Sequence, residues 1–295
     1  MALPTAHTTV TSRRVSVDGV ELQLHSAGEQ HRGTPLVLLH GGGLDSALVS
    51  YGAVLPMLGA DRPVYAPDLP GFGASGRPDA PYTLQWYIDI LEGLADTLNL
   101  KQFDLGGLSL GGGIALGYAL QHPSHVHRLV LIAPYGLTNR IPSARLSAWL
   151  IRRPGLYAKL NRWAVANRWV TRLTLKQLVV SGTAITNDVV SGVMAAARDD
   201  EGGRAWNKFQ QSELDGLRLR TNYVKKLQDL DMPVLLMSGK QDRLVPAADV
   251  RAAARKIRRG RVVELDACGH WLPRDQATRF VSEVSVFLGL NSAVM

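Results

Sequence analysis

One cysteine, Cys268, stands among 295 residues, so no internal disulfide can form and no cysteine-based zinc site can be assembled. Long apolar runs are missing as well: nowhere do about 18 apolar residues follow one another, the length a membrane-spanning helix needs. Residues 1–17 include Arg13 and Arg14 but no apolar segment of leader length before them. These absences suit a protein of the cytoplasm, which is the expected location. Acidic residues are absent from one long segment, 136–187, which holds nine Lys and Arg and no Asp or Glu. The whole chain carries a net charge of +8, so the excess belongs to that segment and the remainder is slightly acidic. Nucleic acid is therefore not an expected partner, because its binding calls for basicity spread over a contact face of the fold.

What is present is a chain with 46% hydrophobic and 20% charged residues, enough to bury one large core. Two alternating runs, 13–17 and 20–25, flank Asp18-Gly19, a dipeptide that tolerates the positive φ of a two-residue hairpin turn. Continuous apolar runs follow at 36–39, 64–66, 103–105, 129–133, 234–237 and 262–265, and strands without polar alternation are buried on both faces. Between most of them lie helical patterns, such as 84–98 and 110–120. This is the rhythm of an α/β protein with a mostly parallel sheet flanked by helices. The rhythm breaks after Pro134, and nearly a hundred residues pass before the next strand-like run. That length is too great for a loop, so the expected organisation is a core of 1–134 and 229–295 with an inserted helical cap at 135–228.

Gly107-Leu108-Ser109-Leu110-Gly111 follows one strand run directly and opens a helix. A strand-to-helix turn this tight strains the central residue and leaves no room for side chains on its neighbours, exposing the Ser109 hydroxyl at the sheet edge. A serine needs a base to take its proton, and the base needs a carboxylate to hold its tautomer. Downstream, Asp242 lies in the turn after the 234–237 run and His270 just after the last strand, in the chain order Ser, Asp, His. Asp266 is the second choice for the acid, and Asp104, inside a strand, reads as structural. His40-Gly41-Gly42-Gly43 ends the 36–39 strand; Gly42 and Leu110 are the expected N–H donors to an oxyanion. Gly41, Gly43, Leu108 and Trp271 are expected to line the substrate site. His122, His125 and His127 fall in the connection into the next strand, on the opposite sheet edge, and no metal site is expected there. Gly71-Phe72-Gly73-Ala74-Ser75-Gly76 spells a dinucleotide fingerprint, but Pro78 and Pro81 follow where the helix would have to start.

With these motifs in order, nearly the whole chain resembles the α/β-hydrolase superfamily. Within it, His40-Gly41-Gly42-Gly43 and Cys268-Gly269-His270-Trp271 look like the meta-cleavage product hydrolases, which cleave a carbon–carbon bond in dienoic keto acids beneath a helical cap. That family's glycine loop usually continues Pro-Gly where this chain has Leu44-Asp45, and its elbow usually has Asn where this chain has Leu108. With those departures the chain looks more like the general carboxylesterases of the superfamily. The resemblance implies a Ser109, Asp242, His270 triad, Gly42 and Leu110 as oxyanion donors, and no metal or organic cofactor. The leading expectation is hydrolysis of a small-molecule ester with an apolar acyl group. Carbon–carbon hydrolysis of a keto acid is the alternative, and a catalytically silent binding protein is a third. Oligomeric state is not legible. In the cap, Trp149, Tyr157, Trp163 and Trp169 interleave with the basic residues, and Arg168, Arg172 and Lys176 recur every four residues. The preferred reading is a substrate lid kept solvated by its charges; peripheral contact with an anionic membrane is the second.

Overall fold

The computed structural model describes residues 8–141, 143–199 and 203–289; the first seven residues, read above for a leader, lie outside them. The chain opens with the hairpin β1 (Thr11–Val17) and β2 (Val20–Ala27), joined where Asp18 and Gly19 both take positive φ, 50° and 79°. Next come β3 (Leu36–Leu39), two short helices α1 (Ala47–Tyr51) and α2 (Leu55–Leu58), and β4 (Val64–Pro67). Helix α3 (Leu84–Thr97), β5 (Phe103–Leu108), α4 (Leu110–Gln121) and β6 (Val126–Ile132) follow. The chain then makes an excursion through α5 (Ala144–Ile151), α6 (Pro154–Ala166), α7 (Arg168–Leu175), α8 (Asn187–Asp199) and α9 (Arg204–Glu213). A small hairpin, β7 (Leu214–Asp215) and β8 (Arg218–Leu219), closes it. Finally β9 (Val234–Gly239), α10 (Ala247–Ala254), β10 (Gly260–Leu265), α11 (Leu272–Asp275) and α12 (Ala277–Phe287) complete the core.

Eight strands form one sheet in the order β1-β2-β4-β3-β5-β6-β9-β10. The pairs β1–β2 and β2–β4 are antiparallel and the rest parallel. Every residue of β3, β5 and β9 is buried, which is why these segments read as apolar runs without alternation. Helix α3 starts at Thr83, whose hydroxyl accepts the Trp86 N–H at 3.2 Å. It lays Leu84, Tyr87, Ile88, Leu91 and Leu94 into the core at helical spacing. Full burial of each such leucine contributes roughly 2 kcal/mol.

The excursion differs from the all-helical expectation, because β7 and β8 pair across Gly216-Leu217, with Gly216 at φ 61°. Two residues per strand are too few to show alternation in sequence. His127 also differs: it is the second residue of β6 rather than part of the preceding connection. Residues 71–76 are a loop with no helix before Leu84. Chain direction across the sheet reverses around β3, which lies between β4 and β5. In parallel sheets the crevice at such a reversal, beyond the C-terminal strand ends, is where ligands sit.

Candidate active site

Three strand ends converge on that crevice. Leu39 of β3 pairs with Gly107 of β5, and Leu108 with Ile132 of β6. Ser109 therefore follows directly on β5 between the ends of its neighbours. Its backbone takes φ 51° and ψ −112°, a strained conformation for a residue with a side chain. Three bonds hold it there. The Ser109 N–H donates to the Ile132 carbonyl at 2.9 Å, and its own carbonyl accepts from Gly113 at 3.0 Å and Tyr135 at 2.8 Å. The flanking glycines are steric requirements: a Cβ on Gly107 would stand 2.2 Å from the Gly111 carbonyl oxygen, and one on Gly111 2.3 Å from that of Leu39.

His270 follows β10, and its Nδ1 lies 2.8 Å from Asp242 Oδ2. The other Asp242 oxygen accepts the N–H groups of Leu244 at 2.8 Å and Val245 at 3.0 Å, so the carboxylate is fixed by its own turn. Both residues are buried. Asp266 is elsewhere: its side chain is 79% exposed and pairs with Lys240 at 2.7 Å.

Ser109 and His270 line a single cavity of ≈ 340 Å³, together with Gly41, Gly42, Gly43, Leu108 and Trp271. Asp242 sits behind His270, and the Leu110 side chain is buried in the core rather than in the cavity wall. The Leu110 N–H opens α4, where the first amides have no intrahelical acceptor. Among the described residues neither it nor the Gly42 N–H has a hydrogen-bond partner. Gly41 is different, since its N–H donates to Asp45 Oδ2 at 2.8 Å.

That loop is held by His40, Asp45 and Ser50, to which the sequence reading gave no holding role. His40 Nε2 accepts the Leu69 N–H at 2.9 Å, which leaves Nδ1 to donate to the Gly41 carbonyl at 2.7 Å. Asp45, buried, accepts from Gly41, from the Ser46 N–H at 2.8 Å and from the Ser50 hydroxyl at 2.6 Å. Burial pushes its pKa up, against the pull of His40 and of these hydrogen bonds. Ser50 in turn accepts the Trp271 indole N–H at 2.8 Å, which ties the loop to the residue after His270. From the excursion come Tyr157 and Asn161 of α6, Thr171, Thr174 and Leu175 of α7, and Trp206 of α9. Their helical spacing was legible, but which face met the cavity was not.

This ordering of strands and turns matches a known family. Residues 34–275 fit the model of the alpha/beta hydrolase fold. The chain belongs to the α/β-hydrolase fold family. It is 30% identical over 283 residues to the 2-hydroxymuconate semialdehyde hydrolase of Pseudomonas sp. strain CF600, covering 94% of this chain and 93% of that one. To the 2-hydroxy-6-oxo-2,4-heptadienoate hydrolase of Pseudomonas putida strain F1 it is 27% identical, over 94% and 95% of the two chains. Among solved structures, a serine hydrolase involved in carbazole degradation superposes with a TM-score of 0.80 at 24% identity, over 95% of this α/β hydrolase and 99% of that chain.

Among the described residues no helix is long and apolar enough to cross a membrane, and no cluster of His, Cys, Asp or Glu could hold a metal. His122 faces Glu92 at 3.5 Å, His125 meets the Tyr118 hydroxyl at 3.0 Å and His127 meets Asp104 at 3.0 Å.

Proposed function

We propose that this protein hydrolyses an uncharged carboxylic ester through an acyl-serine intermediate. Ser109 Oγ attacks the carbonyl carbon while His270 takes its proton. Asp242, on Nδ1, keeps Nε2 as the accepting nitrogen and stabilises the imidazolium. The N–H groups of Gly42 and Leu110 receive the oxyanion. Collapse breaks the carbon–oxygen bond and the alcohol leaves with the proton held by His270. Water, losing a proton to the same His270, then attacks the acyl carbon and frees Ser109. The helical segment 135–228 serves as the cap that encloses the substrate.

The chemistry of the cavity wall carries the choice of an uncharged substrate. Among the described residues lining it there is no Lys or Arg, and its one acid, Asp45, is already held by three donors. A substrate carboxylate taken into this space would be desolvated with no cation among the described lining residues to meet it, at a cost of several kcal/mol. Leu108, Leu175, Val193 and Trp206 line it instead, which suits an apolar acyl chain.

Carbon–carbon hydrolysis is the second reading, and the names of the curated relatives favour it over ester cleavage: they specify a semialdehyde hydrolase and a dienoate hydrolase. The two readings separate in one assay, turnover of a chain-length series of p-nitrophenyl esters beside one dienoic keto acid, for wild type and Ser109→Ala. The expected result is ester turnover that is lost in Ser109→Ala, with the keto acid left intact. Faster turnover of the keto acid than of every ester would replace the ester reading with the carbon–carbon one.

A further inference from the structure

Helices α6 and α7 have two faces with different chemistry. Tyr157, Asn161 and Ala164 of α6 and Thr171, Thr174 and Leu175 of α7 line the cavity. At the opposite helical positions, Trp163 and Trp169 are each 68% exposed, with Leu160 and Leu173 exposed beside them. Helix α5 continues the pattern with Leu146 and Trp149, both exposed. Trp86, Trp206 and Trp271 elsewhere in the chain are buried or half-buried. A lid that merely covered the cavity would turn its large aromatics inward. Trp206 of α9 and Tyr157 of α6 do so, but Trp149, Trp163 and Trp169 of α5–α7 do not line the cavity. The preferred sequence reading of this segment therefore leaves its outer face unexplained.

The segment that carries this face is basic. Of the nine cations in 136–187, eight are exposed and Arg172 is half-buried. The segment itself holds no carboxylate to cancel them. Neutral groups take several of their hydrogen bonds: Arg153 lies 4.3 Å over the Trp149 ring and bonds the Trp149 carbonyl. Arg168 and Arg172 both donate to the Asn187 side chain. These bonds orient the charge without neutralising it.

We infer that the outer face of α5–α7 docks on an anionic lipid bilayer. Phosphate headgroups meet the Lys and Arg, and the Trp and Leu side chains enter the interface between headgroups and acyl chains, where indole is most stable. A second copy of the chain would bring the same positive charge to the contact and be repelled. A nucleic-acid backbone would leave Leu146, Leu160 and Leu173 with nothing to bury against. Two of the helices that touch the bilayer, α6 and α7, also form part of the cavity wall, so a lipid-soluble ester has a short path from membrane to Ser109. That last consequence rests on the proposed ester hydrolysis, whereas the docking does not.

The test separates the two. Full-length protein is sedimented with vesicles of phosphatidylglycerol and phosphatidylcholine, and with phosphatidylcholine alone, at low and physiological salt. Three proteins are compared: wild type, Trp163→Ser/Trp169→Ser, and Arg145→Glu/Lys159→Glu/Lys176→Glu. Wild type should pellet with the anionic vesicles only, less so as salt rises, and each variant should partition at least about tenfold more weakly. Turnover of a water-soluble ester should be the same in all three, which verifies folding and keeps loss of docking apart from loss of catalysis. Wild type that stays in the supernatant with anionic vesicles at low salt overturns the inference. So does a dimer in sedimentation velocity that the tryptophan variant dissolves, since the face then belongs between copies.

Discussion

Asp104 offers the sharpest test of how charge is used away from the cavity. Its carboxylate is fully buried, with Arg62 Nη1 at 2.7 Å on one oxygen and His127 Nδ1 at 3.0 Å on the other. Arg62 is itself 4% exposed in its side chain. Its second Nη reaches the Leu288 carbonyl at 3.4 Å, and its Nε has no hydrogen-bond partner among the described residues. Replacing Asp104 with Ala leaves a buried guanidinium with one long bond to a carbonyl and only the half-exposed Asp61 carboxylate, 4.0 Å from its Nε, as a counter-charge. Removing one member of a buried pair costs about 3–5 kcal/mol, because the remaining charge stays desolvated. In a chain of this size that is a fall in Tm of roughly 6–20 °C. Replacing both, as Arg62→Met/Asp104→Leu, should cost less than either single change, because no charge is left behind. Asp104 is the second residue of β5, five residues before Ser109 and about 16 Å away along an extended chain, so kcat of the folded fraction should not change. Urea unfolding of wild type, Arg62→Met, Asp104→Leu and the double variant closes the cycle. Single substitutions whose costs simply add, or a kcat that falls with Asp104→Ala, would refute the reasoning.

Three further outcomes follow from the site. Asp242→Asn should lower kcat by about 10⁴-fold while Asp266→Asn leaves it unchanged, measured with one p-nitrophenyl ester; the reverse pattern would move the acid to Asp266. A Cβ on Gly42 would stand 2.3 Å from the Trp206 ring, so Gly42→Ala should cost about 1–3 kcal/mol of stability by overpacking and lower kcat at least tenfold. Trp206→Leu should restore most of both in the double variant, and failure of that rescue would mean the contact is not what the alanine disturbs. Asp68 has its pKa raised by burial, yet the His25 imidazole 3.7 Å away, the nearby His40 ring and the N–H groups of Ala74 and Ala47 hold it below the usual carboxylate value overall. A lowered folded pKa gives stability that is present above the unfolded value and lost as pH falls through the folded one. The unfolding free energy lost in Asp68→Asn should therefore be largest near neutrality and shrink below about pH 4; a pH-independent difference would rule out the linkage.

Much of the core was legible because its signals are local. The runs that became β3, β4 and β9 are apolar without alternation, and the Asp18-Gly19 turn is specified by two residues. Ser109, Asp242 and His270 were legible for a related reason: each lies in the turn directly after a strand run, so their meeting at one sheet edge follows from parallel order. β5 was read too short because Gly106 and Gly107 are poor strand formers; what makes them strand is pairing with Leu38 and Leu39, about seventy residues away in the chain. The cap resisted for a different reason. Periodicity sorts a helix into faces, but when each face carries an aromatic, only the packing tells which face meets the cavity. Tyr157 and Trp163 lie within six residues of each other, yet one lines the cavity and the other faces outward.

Asp45 shows how a departure from a family pattern acquires meaning only in three dimensions. Leu44-Asp45 stands where the keto-acid hydrolases usually continue Pro-Gly, and in sequence it reads as a mere mismatch. In the structure it fastens the Gly41 amide and, through Ser50, the Trp271 indole, two points on either side of the candidate catalytic serine and histidine. It also places a carboxyl group in the cavity wall. Burial already drives that group towards its neutral form, and a second anion in the cavity would drive it further, weakening the acceptor on which the loop depends. A keto acid entering here would meet a carboxyl where it needs a cation, and would loosen the loop that carries the Gly42 amide. Under the proposed ester reading neither cost arises, so Asp45 is the residue on which the choice between ester and keto acid turns.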